Sequence, residues 1–424
     1  MKNSGIEWIG EILDDWKLIK IGSIFQCRNE KVNDTDYPPL SVSKGGIVPQ
    51  MESVAKTDAN DNRKLVLTND FVINSRSDRK QSCGYSALSG SVSLINTVLY
   101  AINDKIILPQ YTDYLMKNYG FAEEFYRWGH GIVADLWTTR WQEMKSIVLP
   151  IPSIEAQYKI IKRLQIELGA VDKLIENQRA QIEKLKEYKQ SVITEAVTKG
   201  LDPSVPLKDS GVDWIGNIPE NWQVVRIKNL PDFTQENAFI DGDWIESPDI
   251  TNEGIRYLTT GNIGDGIFKR QGNGYISYDT FVELNCKSAY PNDLVIARLN
   301  SPFGRSCILP SDEKQYVLAV DIVILRTNQN KKFICYVTQC PNFQHSVEDH
   351  ARGTAMKRIS RSNLGLIQIS LPPLKEQQQI AEYLDKKCAE IDRLIAIKQQ
   401  KIETLAEYKK SLIYEYVTGK NEVG

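Results

Sequence analysis

No stretch of this 424-residue chain is apolar for long enough to span a bilayer, and Met1-Lys2-Asn3 leads into no signal-like apolar run. Both absences fit a cytoplasmic protein with no membrane partner. Histidine is nearly missing: the three are His130, His345 and His350, and the five-residue step between the last two puts them on different faces of a helix, which argues against a zinc site. No Gly-x-x-x-x-Gly-Lys-Ser/Thr occurs, and the triplets Gly129-His130-Gly131, Gly264-Asp265-Gly266 and Gly272-Asn273-Gly274 open no strand-to-helix phosphate loop. Net charge is small too, formally −2, which argues against bulk affinity for nucleic acid but leaves room for a local basic face. The seven cysteines include no Cys-x-x-Cys pair and read as reduced, mostly buried thiols. Asp312-Glu313-Lys314 mimics an acidic-plus-lysine nuclease pattern but reads as a solvated turn.

What the chain has instead is repetition. Ser4-Gly5-Ile6-Glu7-Trp8-Ile9-Gly10 through Trp16 recurs as Ser210-Gly211-Val212-Asp213-Trp214-Ile215-Gly216 through Trp222, a shift of 206. A second block, Pro152–Lys199, recurs as Pro372–Gly419, a shift of 220, with 18 of 48 positions identical. The blocks alternate, so the chain is a tandem duplication whose second variable part is the longer, and two similar modules suit a target with two similar halves.

From Ser153 to Lys199 there is no proline and one glycine, Gly169, and the second copy has neither from Lys375 to Thr418. Both stretches are predicted as long helices, each with an early carboxylate, Glu155 or Glu376, where the N-terminal end of the helix dipole attracts negative charge. Leu164, Val171, Leu174, Ile175, Ile182, Leu185, Val192 and Ala196 advance in steps of three, four and seven. Their counterparts are Leu384, Ile391, Leu394, Ile395, Ile402, Leu405, Leu412 and Tyr416. A narrow seam at this spacing is a coiled-coil pattern, and two matched copies favour pairing with each other as a strut ~60 Å long.

Between the helical blocks the texture is β-rich. Val66-Leu67, Phe71-Val72-Ile73, Val92-Ser93-Leu94-Ile95, Leu294-Val295-Ile296 and Ile322–Leu325 read as strands, which makes the fold class α+β. Asn69-Asp70-Phe71-Val72-Ile73 resembles Asn292-Asp293-Leu294-Val295-Ile296, and each is followed by a basic loop, one carrying Arg76, Arg79 and Lys80, the other Arg298 and Arg305. Leu40–Ile47, which holds Lys44, likewise resembles Leu258–Ile267, which holds Asn262. The densest basic run, His350–Arg361, contributes Arg352, Lys357 and Arg358. Taken singly, each loop reads as an ordinary solvated turn, whereas recurrence at one place in both halves points toward phosphate and base-edge contacts.

The Ser-Gly-x-x-Trp-Ile-Gly head of each half, and the Pro-led, Gln-containing start of each long helix, resemble the specificity subunits of Type I restriction-modification systems. Pro373-Leu374-Lys375-Glu376-Gln377 fits that helix start closely; in the first copy Ala156 stands where Glu376 does. The resemblance covers the whole chain. It implies a target recognition domain at 1–150, a linker with a second target recognition domain at 201–370, helical regions at 151–200 and 371–424 packed as an antiparallel coiled coil, and a pseudo-twofold internal repeat. It further implies a non-catalytic subunit that binds a bipartite, asymmetric site on double-stranded DNA and recruits two methyltransferase subunits and restriction subunits. S-adenosylmethionine, ATP and Mg2+ would serve those partners, with no cofactor held here. The DNA-facing set expected on this basis is Lys44, Arg76, Arg79, Lys80, Arg140, Asn262, Arg298, Arg305, Arg352, Lys357 and Arg358. Two other classes stay open on the residues alone. One is an enzyme with an unrecognised site, which would bind S-adenosylmethionine or cut DNA unaided; the other is a coiled-coil scaffold that binds no DNA.

Overall fold

The two proline-free stretches are helical from end to end, over Ile154–Lys199 and Leu374–Val417. The computed structural model describes residues 1–50, 61–103, 105–131, 137–272, 274–353 and 357–421. It divides in the middle of both long helices, into a first unit of Met1–Arg179 with Gln399–Gly424 and a second unit of Ala180–Lys398.

Inside each unit the two helical segments run antiparallel. In the first, Glu167 accepts from the Tyr416 hydroxyl and Asp172 pairs with Lys409, so the partner descends as the helix ascends. In the second, Lys398 reaches Gln181 and Asp392 holds Lys189 at 2.7 Å. The same two repeat positions thus supply the acid and the base of both ion pairs. Most seam residues are buried or half-buried, but Leu174 and Leu394 are 46% and 48% exposed, and in the second unit Ile193 and Val197 face the core where the strict heptad places Val192. The physical reason is that the helix ends pack on a globule as well as on each other, and a globular face is wider than a two-helix seam.

Each unit holds a four-stranded antiparallel sheet. The first runs Cys83–Tyr85, Phe71–Asn74, Asn96–Ala101, Phe25–Cys27; the second runs Ser306–Ile308, Leu294–Ala297, Ile322–Leu325, Phe239–Asp241. The order is the same in sequence terms, so the duplication extends to the variable halves. The central strands are covered on both faces, with Leu294, Ile296, Val323 and Leu325 in one apolar cluster and Val295, Ala297, Ile322 and Ile324 in another. That is why they read as unbroken apolar runs. Two predicted strands are corrected. Leu67 leaves the strand Arg63–Val66 for a turn closed by Asp70 and the left-handed Asn69, and Ser93-Leu94-Ile95 is a turn before Asn96–Ala101 with Leu94 and Ile95 exposed.

The repeated head motif supplies core. Trp16 and Trp222 are buried, and Gly419 and Gly200, which close the long helices at φ 71° and 79°, lie against them. A Cβ would sit 3.2 Å from the Trp16 ring and 3.3 Å from the Trp222 ring, so each helix must end on glycine at that spot.

Gln157 and Gln377 are fully buried and do equivalent work. The Gln157 carbonyl accepts from the Leu108 amide, at the cap of the helix Pro109–Lys117, and its amide donates to Ile106 and Pro152 carbonyls. Gln377 accepts from the Asn330 amide, at the cap of the helix Lys331–Thr338, and donates to Gln329 and the Pro372 carbonyl. Each clamps a long helix onto its globule. Gln377→Ala leaves the half-buried Asn330 amide without its acceptor and empties a fully buried side-chain site, and is expected to cost about 1–3 kcal/mol, against almost nothing for the exposed neighbour Gln378→Ala. Urea unfolding checks this, and equal midpoints for the two variants would remove the clamp.

Candidate nucleic-acid interface

The expected DNA-facing residues separate into two groups. Lys44 is exposed at the tip of the hairpin Leu40–Ser43 and Gly46–Pro49. Arg76 is exposed just after the strand Phe71–Asn74, and it lines a small crevice with Arg79, Lys80, Trp137 and Thr139. Arg79 is exposed beside Asp78, and Lys80 pairs with Glu123 while its ammonium lies 4.2 Å from the centre of the Tyr126 ring. Arg140 is exposed at the start of the helix Trp141–Met144. In the second unit Arg352, Lys357 and Arg358 are exposed, Lys357 paired with Glu348 at 2.7 Å and Arg358 with Asp321 at 2.5 Å. Thr354, Ala355 and Met356 of the same run, and Asn273, lie outside the described residues.

The other three are framework, which corrects the sequence expectation. Asn262 is 3% exposed, its carbonyl accepting from the Thr259 amide and its amide donating to the Lys269 and Gln271 carbonyls, so it is spent on holding its own turn. Arg305 is buried and donates to the carbonyls of Thr260, Ile263, Leu299, Asn300 and Pro302, which staples the post-strand loop to that turn. Arg298 is 3% exposed, donates to the Ile359 and Val320 carbonyls, and contacts Asp241 at 3.0 Å and Asp321 at 4.0 Å. Burial lowers the affinity of the Arg298 and Arg305 guanidinium groups for their protons, and Asp241 and Asp265 respectively offset part of that.

Register explains why Arg76 and Arg298 differ. The Ser75 amide donates to the Ile95 carbonyl and the Ser75 carbonyl accepts from Thr139, and Arg298 makes the same two bonds with Asp321 and Ile359. Arg76 bridges Thr138, and Leu299 bridges Arg358. Arg298 is therefore the counterpart of Ser75, one residue away from the position of Arg76. A shift of one residue along extended backbone reverses the direction of the side chain, here from solvent to interior.

Carried across the sheet, this register places a charged cluster in the second unit where the first has none. The neighbours of Arg298 are Asp241, Asp321, Arg358 and Arg361, with Arg358 on Asp321 and Arg361 3.8 Å from Asp241. The matching residues of the first unit are Asn29, Ser75, Ile95, Thr138 and Trp141, all uncharged. The cluster borders a cleft of 780 Å³ that Arg352, His350, Ser360 and Asn363 also line. Sequence reasoning missed Asp241 and Asp321 because they lie far from the basic run and carry no motif.

Other charged repeats are structural. Asp70 grips Arg28 and Asp293 grips Arg326, each after an asparagine in the left-handed region, φ 70° and 67°. Asp312 pairs with Arg270 and accepts from the Tyr316 hydroxyl, so the nuclease-like triplet is a tied turn. The cysteines are free thiols, six of them buried; burial pushes Cys83, Cys335 and Cys340 up to about 12, which makes them inert. Among the described residues no helix is long and apolar enough to cross a membrane.

Residues 219–407 match the family model of the Type I restriction modification DNA specificity domain. The specificity subunit of the Type I restriction enzyme MjaVIII from Methanocaldococcus jannaschii is 29% identical over 289 residues, which cover 66% of this chain and 63% of the relative, just under two thirds of its length. The MjaX specificity subunit of the same organism is 26% identical over 441 residues, covering 98% of this chain and 96% of the relative. Two solved structures share the fold. A chain from a structure describing complex assembly and conformational transition of the type I R-M system superposes with a TM-score of 0.70 at 15% identity, over 97% of this chain and all of that one. The HsdS subunit from Thermoanaerobacter tengcongensis superposes with a TM-score of 0.54 at 16% identity, over 99% of this chain and all of that one.

Proposed function

We propose that this chain, which belongs to the specificity subunits of Type I restriction-modification systems, reads a bipartite and asymmetric DNA sequence, one half with each globule. Chemistry falls to its partners, two methyltransferase subunits using S-adenosylmethionine and restriction subunits using ATP and Mg2+. This chain then needs no cofactor of its own. The observation that carries the reading is one sheet framework built twice with different side chains at matched positions along its edge, uncharged at Asn29, Ser75, Ile95, Thr138 and Trp141 but charged at Asp241, Arg298, Asp321, Arg358 and Arg361. A shared scaffold with unlike loops suits two half-sites of unlike sequence, because base edges are read by the particular donors and acceptors a loop presents. The exposed, unpaired or loosely paired Lys44, Arg76, Arg140 and Arg352 are candidates for that contact.

Methylome sequencing of cells carrying this chain with its methyltransferase tests the proposal. Two short specified stretches separated by a fixed unspecified spacer are expected; a continuous motif, or no motif, would overturn it. Exchange of residues 17–148 for the corresponding segment of a relative is a second check. The hybrid is expected to keep one half of the methylated sequence and change the other, and a change in both halves would refute independent reading.

A further inference from the structure

The geometry points to the arginine cleft of the second unit as a seat for a backbone phosphate of duplex DNA, held by Arg352, Arg358 and Arg361. This rests on the DNA-reading function above and adds to it the residues and the chemical group they engage. Four arginines line or floor the cleft and only two carboxylates, Asp241 and Asp321, answer them, leaving positive charge in surplus. Arg361 and Arg358 are 38% and 41% exposed at the side chain and are tethered from below, so they are oriented before any ligand arrives. Arg352 is exposed, and its backbone is zipped to Arg358 in both directions at 2.8 and 2.9 Å, which fixes the spacing between the two guanidinium groups' stems.

The floor is incompletely satisfied. Arg298 is buried, and its Nε has no hydrogen-bond partner among the described residues, whereas Asp241 Oδ1 lies 3.0 Å from the Arg298 guanidinium and Asp321 Oδ1 2.5 Å from that of Arg358. Buried charged groups are ordinarily saturated, and a buried guanidinium N–H without a partner, beneath arginines that outnumber the carboxylates, is a donor that an anion can satisfy. Arginine suits a phosphate better than lysine here because its planar donors match two oxygens at once. The Ser360 hydroxyl accepts from the Asn363 amide and keeps its own proton to donate, so it can add one hydrogen bond beside the guanidinium groups. In the first unit the corresponding positions hold His130, Thr138 and Trp141, which cannot form such a seat.

The test uses the full-length chain and duplexes of random sequence, so that no cognate site need be known, with binding measured across a salt series. Arg352→Ala, which breaks no ion pair among the described residues, is expected to weaken binding to every duplex alike and to make the slope of log affinity against log salt shallower by about 0.9. Arg358→Gln should do the same and also release Asp321, so thermal unfolding is recorded for both variants. An Arg352→Ala chain that keeps the parental affinity and slope overturns the phosphate seat while leaving the DNA-reading function standing. Loss of discrimination at one base pair of a methylome-derived site with an unchanged slope overturns it in favour of a base contact. Failure of the unaltered chain to retain any duplex at low salt strikes the underlying function as well as the seat.

Discussion

A chain ending at Lys398 loses the cooperative fold of its first unit and keeps that of its second. The first unit takes its last helical segment from Gln399 onward, and Leu412, Tyr416 and Val417 lie in the cluster that also holds Trp8, Trp16, Phe71, Leu99 and Leu164. The Tyr414 hydroxyl donates to the Trp8 carbonyl at 2.9 Å and the Lys420 ammonium to the Ile9 carbonyl at 2.8 Å, so backbone acceptors are stranded as well. Emptying a large buried side-chain site costs about 2–5 kcal/mol, and three of them together reach the ~5–15 kcal/mol by which a domain is stable. The second unit, Ala180–Lys398, contains its own core and none of these residues. Hydrogen exchange is the readout: amides of Phe71–Asn74 and Asn96–Ala101 lose protection, while those of Leu294–Ala297 and Ile322–Leu325 keep it. Protection retained in all four strands would refute the dependence.

The second large effect separates two arginines that the sequence makes look alike. Arg298→Ala removes the guanidinium at the centre of the Asp241 and Asp321 network and strands the Ile359 and Val320 carbonyls. Losing one partner of a buried ion pair costs about 3–5 kcal/mol, and because Asp241 and Asp321 keep 31% and 17% exposure the lower end applies. At about 2–4 °C per kcal/mol for a unit of this size, its Tm drops by roughly 6–12 °C. Arg76→Ala, at an exposed position, stays within about 0.5 kcal/mol of the parent and loses DNA affinity instead. Thermal unfolding of the two variants side by side decides the matter, and equal Tm values would mean that the register drawn here is wrong.

Much of the architecture was written in local pattern. The duplication, the two long helices with their carboxylate starts, and the central strands as apolar runs all follow from spacing and composition, because helix and strand periods are properties of the backbone that neighbouring residues alone can satisfy or violate. The Asn-Asp pairs before the strands Phe71–Asn74 and Leu294–Ala297 were visible as a repeat, and the count from them already puts Arg298 opposite Ser75. What that one-residue offset means was settled only when the strand had partners to hydrogen-bond, since the chain alone does not say which face of a strand is interior. Likewise Gln157 and Gln377 occupy identical positions at the 220-residue repeat shift, but that they clamp a helix cap depends on Leu108 and Asn330, which lie 49 and 47 residues away.

The tertiary structure alone decided which cations are free. Arg305 and Arg352 are indistinguishable as letters in basic loops, yet one spends its donors on five carbonyls and the other stands in solvent, because burial and partner supply are set by chain segments remote in sequence. It also decided that the end of the second long helix completes the first unit, with Gly419 against Trp16. The sequence determined the elements and their repetition by itself, through periodicity and turn chemistry. Long-range packing determined which cationic side chains remain free, since a guanidinium's availability depends on whatever carbonyls and carboxylates the fold happens to bring to it.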